Sequence, residues 1–215
     1  VASPLALSLW LALVTTTLSL VLAVPLAAWL TFTRSRWRGV IDGLVMLPLA
    51  LPPTVVGFYA LLVFAPSAPI GRALMPVLGQ IPFTFTGLVL VSFFINIPFA
   101  VRPLAAAFAA VPRRYIDAAL VLDPSHARLL LRIVLPMSRA GLAAAALLVG
   151  VHTIGEFGAA MMMGGAIPGQ TRTLSISLYN DVQAMDYVSA HTTAAIMLML
   201  SILAIGMIAF TIRRG

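Results

Sequence analysis

The sequence predicts an all-α integral membrane protein with about five transmembrane helices and a polar two-helix loop. Of its 215 residues, 61% are hydrophobic and 9% are charged, against about 25% charged in an ordinary soluble domain. Mean hydropathy is +1.08. The apolar residues fall in five runs, about 5–32, 43–65, 84–110, 137–161 and 190–212, and a span needs roughly 20 such residues. The whole chain, 1–215, reads as one transmembrane domain.

The first run, Leu5 to Phe32, is too long for the apolar region of a signal peptide and follows no basic segment, so it reads as a span. The second holds Pro48, Pro52, Pro53 and Gly57. Each proline removes a backbone donor and kinks a helix. Irregular backbone at membrane depth is tolerated where protein or a water-filled cavity covers it, and broken helices often mark the path through a transporter. A simple packing kink is the alternative. In the third run, Asn96 and Pro98 suggest another local break before Arg102.

The fourth run carries Glu156 between Gly155 and Gly158. An acid within a span is a functional candidate by default. His152 is one turn earlier and is placed to pair with it, and the glycines would permit close helix approach. The stretch from Gly164 to Asp186, with Pro168, Gly169 and Arg172, reads as a re-entrant or surface segment before the fifth run.

Orientation follows from the thirteen basic residues, all arginine. Arg34, Arg36, Arg38, Arg113, Arg114, Arg128, Arg132, Arg139, Arg213 and Arg214 share one side if the N-terminus is outside, leaving Arg72 and Arg172 opposite. Cytoplasmic loops are enriched in Lys and Arg, so the N-terminus is expected on the periplasmic side and the C-terminus in the cytoplasm. A net charge of +7 would raise nucleic-acid binding in a soluble protein. Here the arginines lie in short clusters between spans, with no aromatic-interleaved basic face, so no nucleic acid is expected. The chain has no cysteine and no lysine. Thiolate metal sites, disulfides and a phosphate-loop lysine are therefore excluded, and His126 and His191 have no partners at metal-ligand spacing.

The loop at 113–136 is too amphipathic to be a linker. Tyr115, Ile116, Ala119 and Leu120 recur at helical spacing, as do Leu129, Leu130 and Ile133. Between them, Asp123 suits an N-cap and Pro124 the first helical position. Two short helices meeting at an elbow are expected. By spacing alone the pair fits equally a helix on anionic headgroups and a docking surface for a soluble partner.

This loop resembles the signature of bacterial ABC-importer permeases: Glu-Ala-Ala, three residues, Gly, nine residues, then Ile-x-Leu-Pro. The positions here read Asp117-Ala118-Ala119, Asp123, and Ile133-Val134-Leu135-Pro136. Asp117 and Asp123 depart from Glu and Gly. "LPLALPPTVVGF", "GEFGAAMMMGG" and "IPGQTRTLSISLYNDVQ" further resemble the permeases of molybdate importers, whose relatives carry sulfate, thiosulfate or tungstate.

The resemblance implies an inner-membrane homodimer of permease copies. It also implies two cytoplasmic ATPase subunits that carry ATP and magnesium, and a periplasmic oxyanion-binding protein. This chain itself would hold no cofactor or metal. Tyr115, Ile116, Asp117, Ala118, Ala119, Leu120, Asp123, Arg128, Ile133, Leu135 and Pro136 would form the ATPase-docking element. Pro48, Pro52, Pro53, Gly57, Arg102, Gly155, Glu156 and Gly158 are pathway or gate candidates. A carboxylate repels an oxyanion, so Glu156 suits a structural or gate-closing role. Arg102 either snorkels to headgroups or meets passing anions. Arg172 suits a contact to the binding protein or an ordinary solvated position. An intramembrane enzyme is the competing class, but the chain offers neither HExxH nor GxSxG. A structural membrane protein, needing no ATPase partner, is the third class.

Overall fold

A computed structural model describes residues 3–122 and 125–214. Among the described residues three helices are long and apolar enough to cross a membrane, α1 (Pro4–Phe32), α5 (Phe85–Ala109) and α12 (Tyr187–Arg214), the last through Phe210, and two bent helix pairs raise the number to five if each is one span. At 1.5 Å per residue, the 29 residues of α1 and the 25 of α5 reach about 43 and 37 Å, beyond the roughly 30 Å of hydrocarbon. Ser3 caps α1, its hydroxyl accepting the Ala6 N–H, and Pro4 occupies the first helical position.

α1, α5 and α9 (Arg139–Gly155) form the centre of the bundle. α1 and α5 run in the same direction: Leu11 clusters with Leu88 and Val89 near one end, and the Thr31 hydroxyl reaches the Ala105 carbonyl at the other. α9 runs against them. Thr153 near its end meets Asn96, while Ser138 just before it donates to the Ala107 carbonyl. The largest buried cluster joins Ala23, Ala27 and Leu30 of α1 to Ala100, Val101, Leu104 and Phe108 of α5 and Ala145 and Val149 of α9. Small residues on α1 let the helices approach closely, as membrane packing favours. α12 lies on the outside, with only 6% of its most apolar stretch buried, so its side chains suit lipid.

Two expected spans are different in the structure. The run at 43–65 is not one helix. α2 (Arg38–Ala50) and α3 (Pro53–Val63) meet at 106°. Pro52 and Pro53 offer no N–H to continue the ladder, and Leu51 is held extended before proline. The run at 137–161 ends early: α9 stops at Gly155, and after Glu156 and Phe157 a separate α10 (Gly158–Gly164) begins. Glu156 therefore sits at a helix break and not inside a span. The break expected at Asn96 and Pro98 is absent, because α5 continues through Pro98 and Pro103. Asn96 instead donates to the Ser92 carbonyl at 2.8 Å and to Thr153 at 3.1 Å, sealing a polar contact between α5 and α9.

α4 (Pro69–Leu78) connects α3 to α5, and α11 (Leu174–Gln183) occupies much of the polar stretch before α12. Neither was expected as a helix. Asp186 begins α12: its carboxylate accepts the Ser189 N–H and hydroxyl, which hold its pKa below the ordinary carboxylate value.

Candidate functional site

The polar loop carries α6 (Arg113–Leu122), then one continuous helical stretch of α7 (His126–Leu129), a π-helical turn (Leu130–Val134) and α8 (Leu135–Met137). The two-helix form expected from periodicity is present. The cap expected at Asp123, with Pro124 after it, lies outside the described residues. Ser125 caps α7, its hydroxyl accepting the Arg128 N–H at 3.5 Å. The π turn has a local cause. An α-helical path would drive the Pro136 ring into the Arg132 carbonyl. The helix widens just before it, and the Leu135 N–H bonds the Leu130 carbonyl five residues back.

One side of this loop is anchored. Ile116, Leu129 and Val134 are buried in the main cluster, with Ala119, Leu130, Ile133 and Leu135 packed against them. The other side is open: Tyr115, Asp117, Ala118, Arg128 and Pro136 are exposed, and Val121 and Leu131 present apolar surface at 85% and 61% exposure. The Arg114 guanidinium lies 4.9 Å from the Tyr115 ring. The loop continues into α9 through an 80° bend. A force on its open face is thus passed to a helix of the bundle centre through a packed base.

A second group of candidates meets where α3 crosses α10. Gly57 is buried, and a Cβ there would stand 2.7 Å from the Ala159 Cα and 2.8 Å from the Met162 Cβ. A Cβ on Gly158 would stand 3.0 Å from Thr54 and 3.4 Å from Pro53. Gly57, Gly158 and Pro53 thus join two broken elements at backbone distance. Pro52 precedes the crossing in extended backbone, and Pro48 is buried on α2. Gly155 does not take part, since nothing lies within 4 Å of its would-be Cβ.

Glu156 is 6% exposed. Its Oε1 accepts the Ala159 N–H at 3.0 Å, and its carbonyl accepts the Ser175 hydroxyl at 2.7 Å. The carboxylate thereby closes the first turn of α10, and the main-chain carbonyl ties the break to α11. The expected partner His152 makes no contact ion pair with it and feels the carboxylate only through space, its imidazole stacking on Phe99 with ring centroids 4.1 Å apart. Nearby, the Thr171 hydroxyl donates to the Gly164 carbonyl at 2.6 Å and Leu174 N–H bonds the Ser8 hydroxyl at 2.8 Å. Arg172 lies in this clamped turn, partly covered, its Nε buried without a hydrogen-bond partner among the described residues.

Arg102 does not stand alone at the headgroups. Its NH1 group meets Asp42 Oδ1 of α2 at 2.9 Å, with the two side chains 49% and 39% exposed. Seven residues separate Arg102 from the end of α5, about 10 Å of helix. A charge in hydrocarbon costs about 2.5–3.5 kcal/mol on insertion scales, while an exposed ion pair stabilises by only about 0–1 kcal/mol. Stability alone therefore gives no reason for the pair. Asp42 carried no motif and was missed in the sequence. Its signal is that it is an acid one turn into an apolar helix.

A family model described as "Binding-protein-dependent transport system inner membrane component" matches residues 5–214. The chain is 45% identical over 198 residues to the molybdenum transport system permease protein ModB of Azotobacter vinelandii, covering 92% of this chain and 88% of that protein. It is 32% identical to the sulfate transport system permease protein CysW of Escherichia coli strain K12, covering 92% of this chain and 68% of that one. Among solved structures, an inward-facing form of the MetNI methionine ABC transporter superposes with a TM-score of 0.74 over 97% of this chain and 92% of that chain, at 16% identity. That likeness concerns the fold.

Proposed function

This chain belongs to the family of binding-protein-dependent transport system inner membrane components, and from that we propose that it is the permease subunit of an ATP-driven importer for a tetrahedral oxyanion, molybdate foremost. The 45% identity to a molybdenum permease over nearly the full length of both chains carries the reading. The sulfate permease is more distant at 32%, which makes sulfate the second reading. The chain is a multi-pass membrane permease and not itself an enzyme. ATP hydrolysis belongs to a partner subunit.

In this reading the open face of α6, α7 and the π turn receives the ATPase. Tyr115, Val121 and Leu131 supply apolar contact, while Asp117, Arg128 and Arg132 fix register. The buried base, Ile116, Leu129 and Val134, moves with the socket as a rigid body. A second copy of the chain completes the pathway. A periplasmic protein delivers the anion near the clamped turn that bears Arg172, and the N-terminus lies on that side. The arginine asymmetry supports this orientation. The α3–α10 crossing suits a closure element, because it joins two broken helices through contacts too close to slide gradually. Glu156 holds that element in shape and does not touch the anion.

The test is reconstitution with the ATPase and binding protein. Val121→Arg and Leu131→Arg change exposed positions, so the chain should insert and assemble as a permease while binding-protein-stimulated ATP hydrolysis is lost. Normal stimulation in both variants would refute the docking assignment.

A further inference from the structure

The Arg102–Asp42 pair has features that packing does not explain. Asp42 lies one turn after Arg38 on α2, yet it reaches across to Arg102 of α5. The two helices are already joined beneath it by Val45, Ile41, Val101 and Leu104. The pair sits above that contact, half exposed. On the same two helices Leu44, Leu47 and Phe94 are exposed apolar residues, and Ala106, one turn along α5 from Arg102, is exposed as well. Gly39 and Gly43 flank Asp42, and a Cβ on either would meet nothing within 4 Å. Neither neighbour on α2 thus carries a side chain that would crowd the pair. An ion pair on an apolar face of a membrane chain needs water or protein against it, because lipid tails solvate neither charge.

We propose that Arg102 is a contact for the transported oxyanion and that Asp42 is the positioning residue that limits how long the anion stays. This rests on the oxyanion-importer reading given above. The guanidinium fork matches a tetrahedral oxyanion in two parallel hydrogen bonds. A dianion carries twice the charge of a carboxylate, so it competes with Asp42 for the same donors. When the anion moves on, Asp42 takes the guanidinium back. Passage needs binding strong enough to enter and weak enough to leave, and a tethered competing carboxylate supplies the second condition. No bond is made or broken, and no proton is transferred.

The experiment uses the assembled transporter in proteoliposomes, with molybdate-loaded binding protein as the probe. Molybdate uptake and stimulated ATP hydrolysis are read for Arg102→Gln, Asp42→Asn and the double variant. Arg102→Gln should lower uptake about tenfold or more while stimulated ATP hydrolysis stays within about twofold. Asp42→Asn should lower the saturating uptake rate about threefold, since the anion is held longer. The double variant should transport no better than Arg102→Gln. A merely structural pair predicts the reverse, because the neutral double variant would regain uptake. That recovery would overturn the proposal, as would wild-type uptake in Asp42→Asn. If Arg102→Gln fails to assemble, the Asp42→Asn rate decides by itself. Wild-type transporter that moves none of molybdate, tungstate or sulfate would overturn the importer reading and this proposal with it. Normal wild-type uptake with unaffected variants would overturn this proposal alone.

Discussion

Gly57→Ala is the sharpest mechanical test of the α3–α10 crossing. The added Cβ would lie 2.7 Å from the Ala159 Cα, 2.8 Å from the Met162 Cβ and 3.0 Å from the Ala159 carbonyl. Carbon atoms in ordinary contact are about 3.5–4.0 Å apart, so α3 must retreat by roughly 1 Å. Two of the three obstructing atoms are backbone, and no rotamer change removes them. Overpacking of this kind costs about 1–3 kcal/mol. Against this, alanine gains about 0.5–1 kcal/mol over glycine inside a helix. The net loss is about 1–2 kcal/mol, or a Tm lower by roughly 2–8 °C for a chain of this size.

The assay is thermal unfolding of the purified permease in detergent, with Gly155→Ala as control. A Cβ at Gly155 meets nothing within 4 Å, so that variant should match the wild type or slightly exceed it. A Gly57→Ala protein as stable as Gly155→Ala would refute the argument that the two broken elements are locked at backbone distance.

Other expectations follow from single contacts. Glu156→Ala removes the acceptor of the Ala159 N–H and should destabilise by about 1 kcal/mol, whereas Glu156→Gln keeps an acceptor oxygen and should lose less. Comparing the two melting curves checks this, and equal losses would mean that the charge and not the cap matters. Asn96 and Thr153 should couple by about 0.6–1.7 kcal/mol in a double-mutant cycle, and a coupling of zero would contradict their 3.1 Å bond. The lowered pKa of Asp186 means that its cap is fully present above the ordinary carboxylate range and is lost only as pH falls through the depressed value. Asp186→Asn should therefore weaken the start of α12 at neutral pH in hydrogen exchange and change little in strong acid. Equal effects at both pH values would count against the charged cap.

The long spans were legible because composition alone determines them: α1, α5 and α12 follow the apolar runs to within a few residues. The loop was legible for another reason. Its anchored face, Ile116, Leu129 and Val134, must recur at helical spacing to reach the core. What stayed hidden depends on partners distant in sequence. Asp42 gains meaning only when α2 folds back beside α5, sixty residues away. His152 looked paired to Glu156 by spacing. The break at Glu156 turned that carboxylate towards the Ala159 N–H, and Phe99 took the imidazole face. Prolines misled in one direction only. Pro52 and Pro53 together broke a helix, while Pro98 and Pro103 sit inside a continuous one, supported by close packing on α1 and α9. Gly155 and Gly158 look alike in sequence, yet only Gly158 faces another backbone.

The central claim is that this chain passes a tetrahedral oxyanion for an ATPase partner. Its most direct measurement is ATP hydrolysis and uptake in proteoliposomes holding the complete transporter. Binding protein loaded with molybdate, tungstate or sulfate would be compared side by side. The account predicts stimulated hydrolysis and uptake with molybdate at or above that with sulfate, and none with empty vesicles. No stimulation by any loaded oxyanion would contradict it, and transport of sulfate alone would replace molybdate as the cargo.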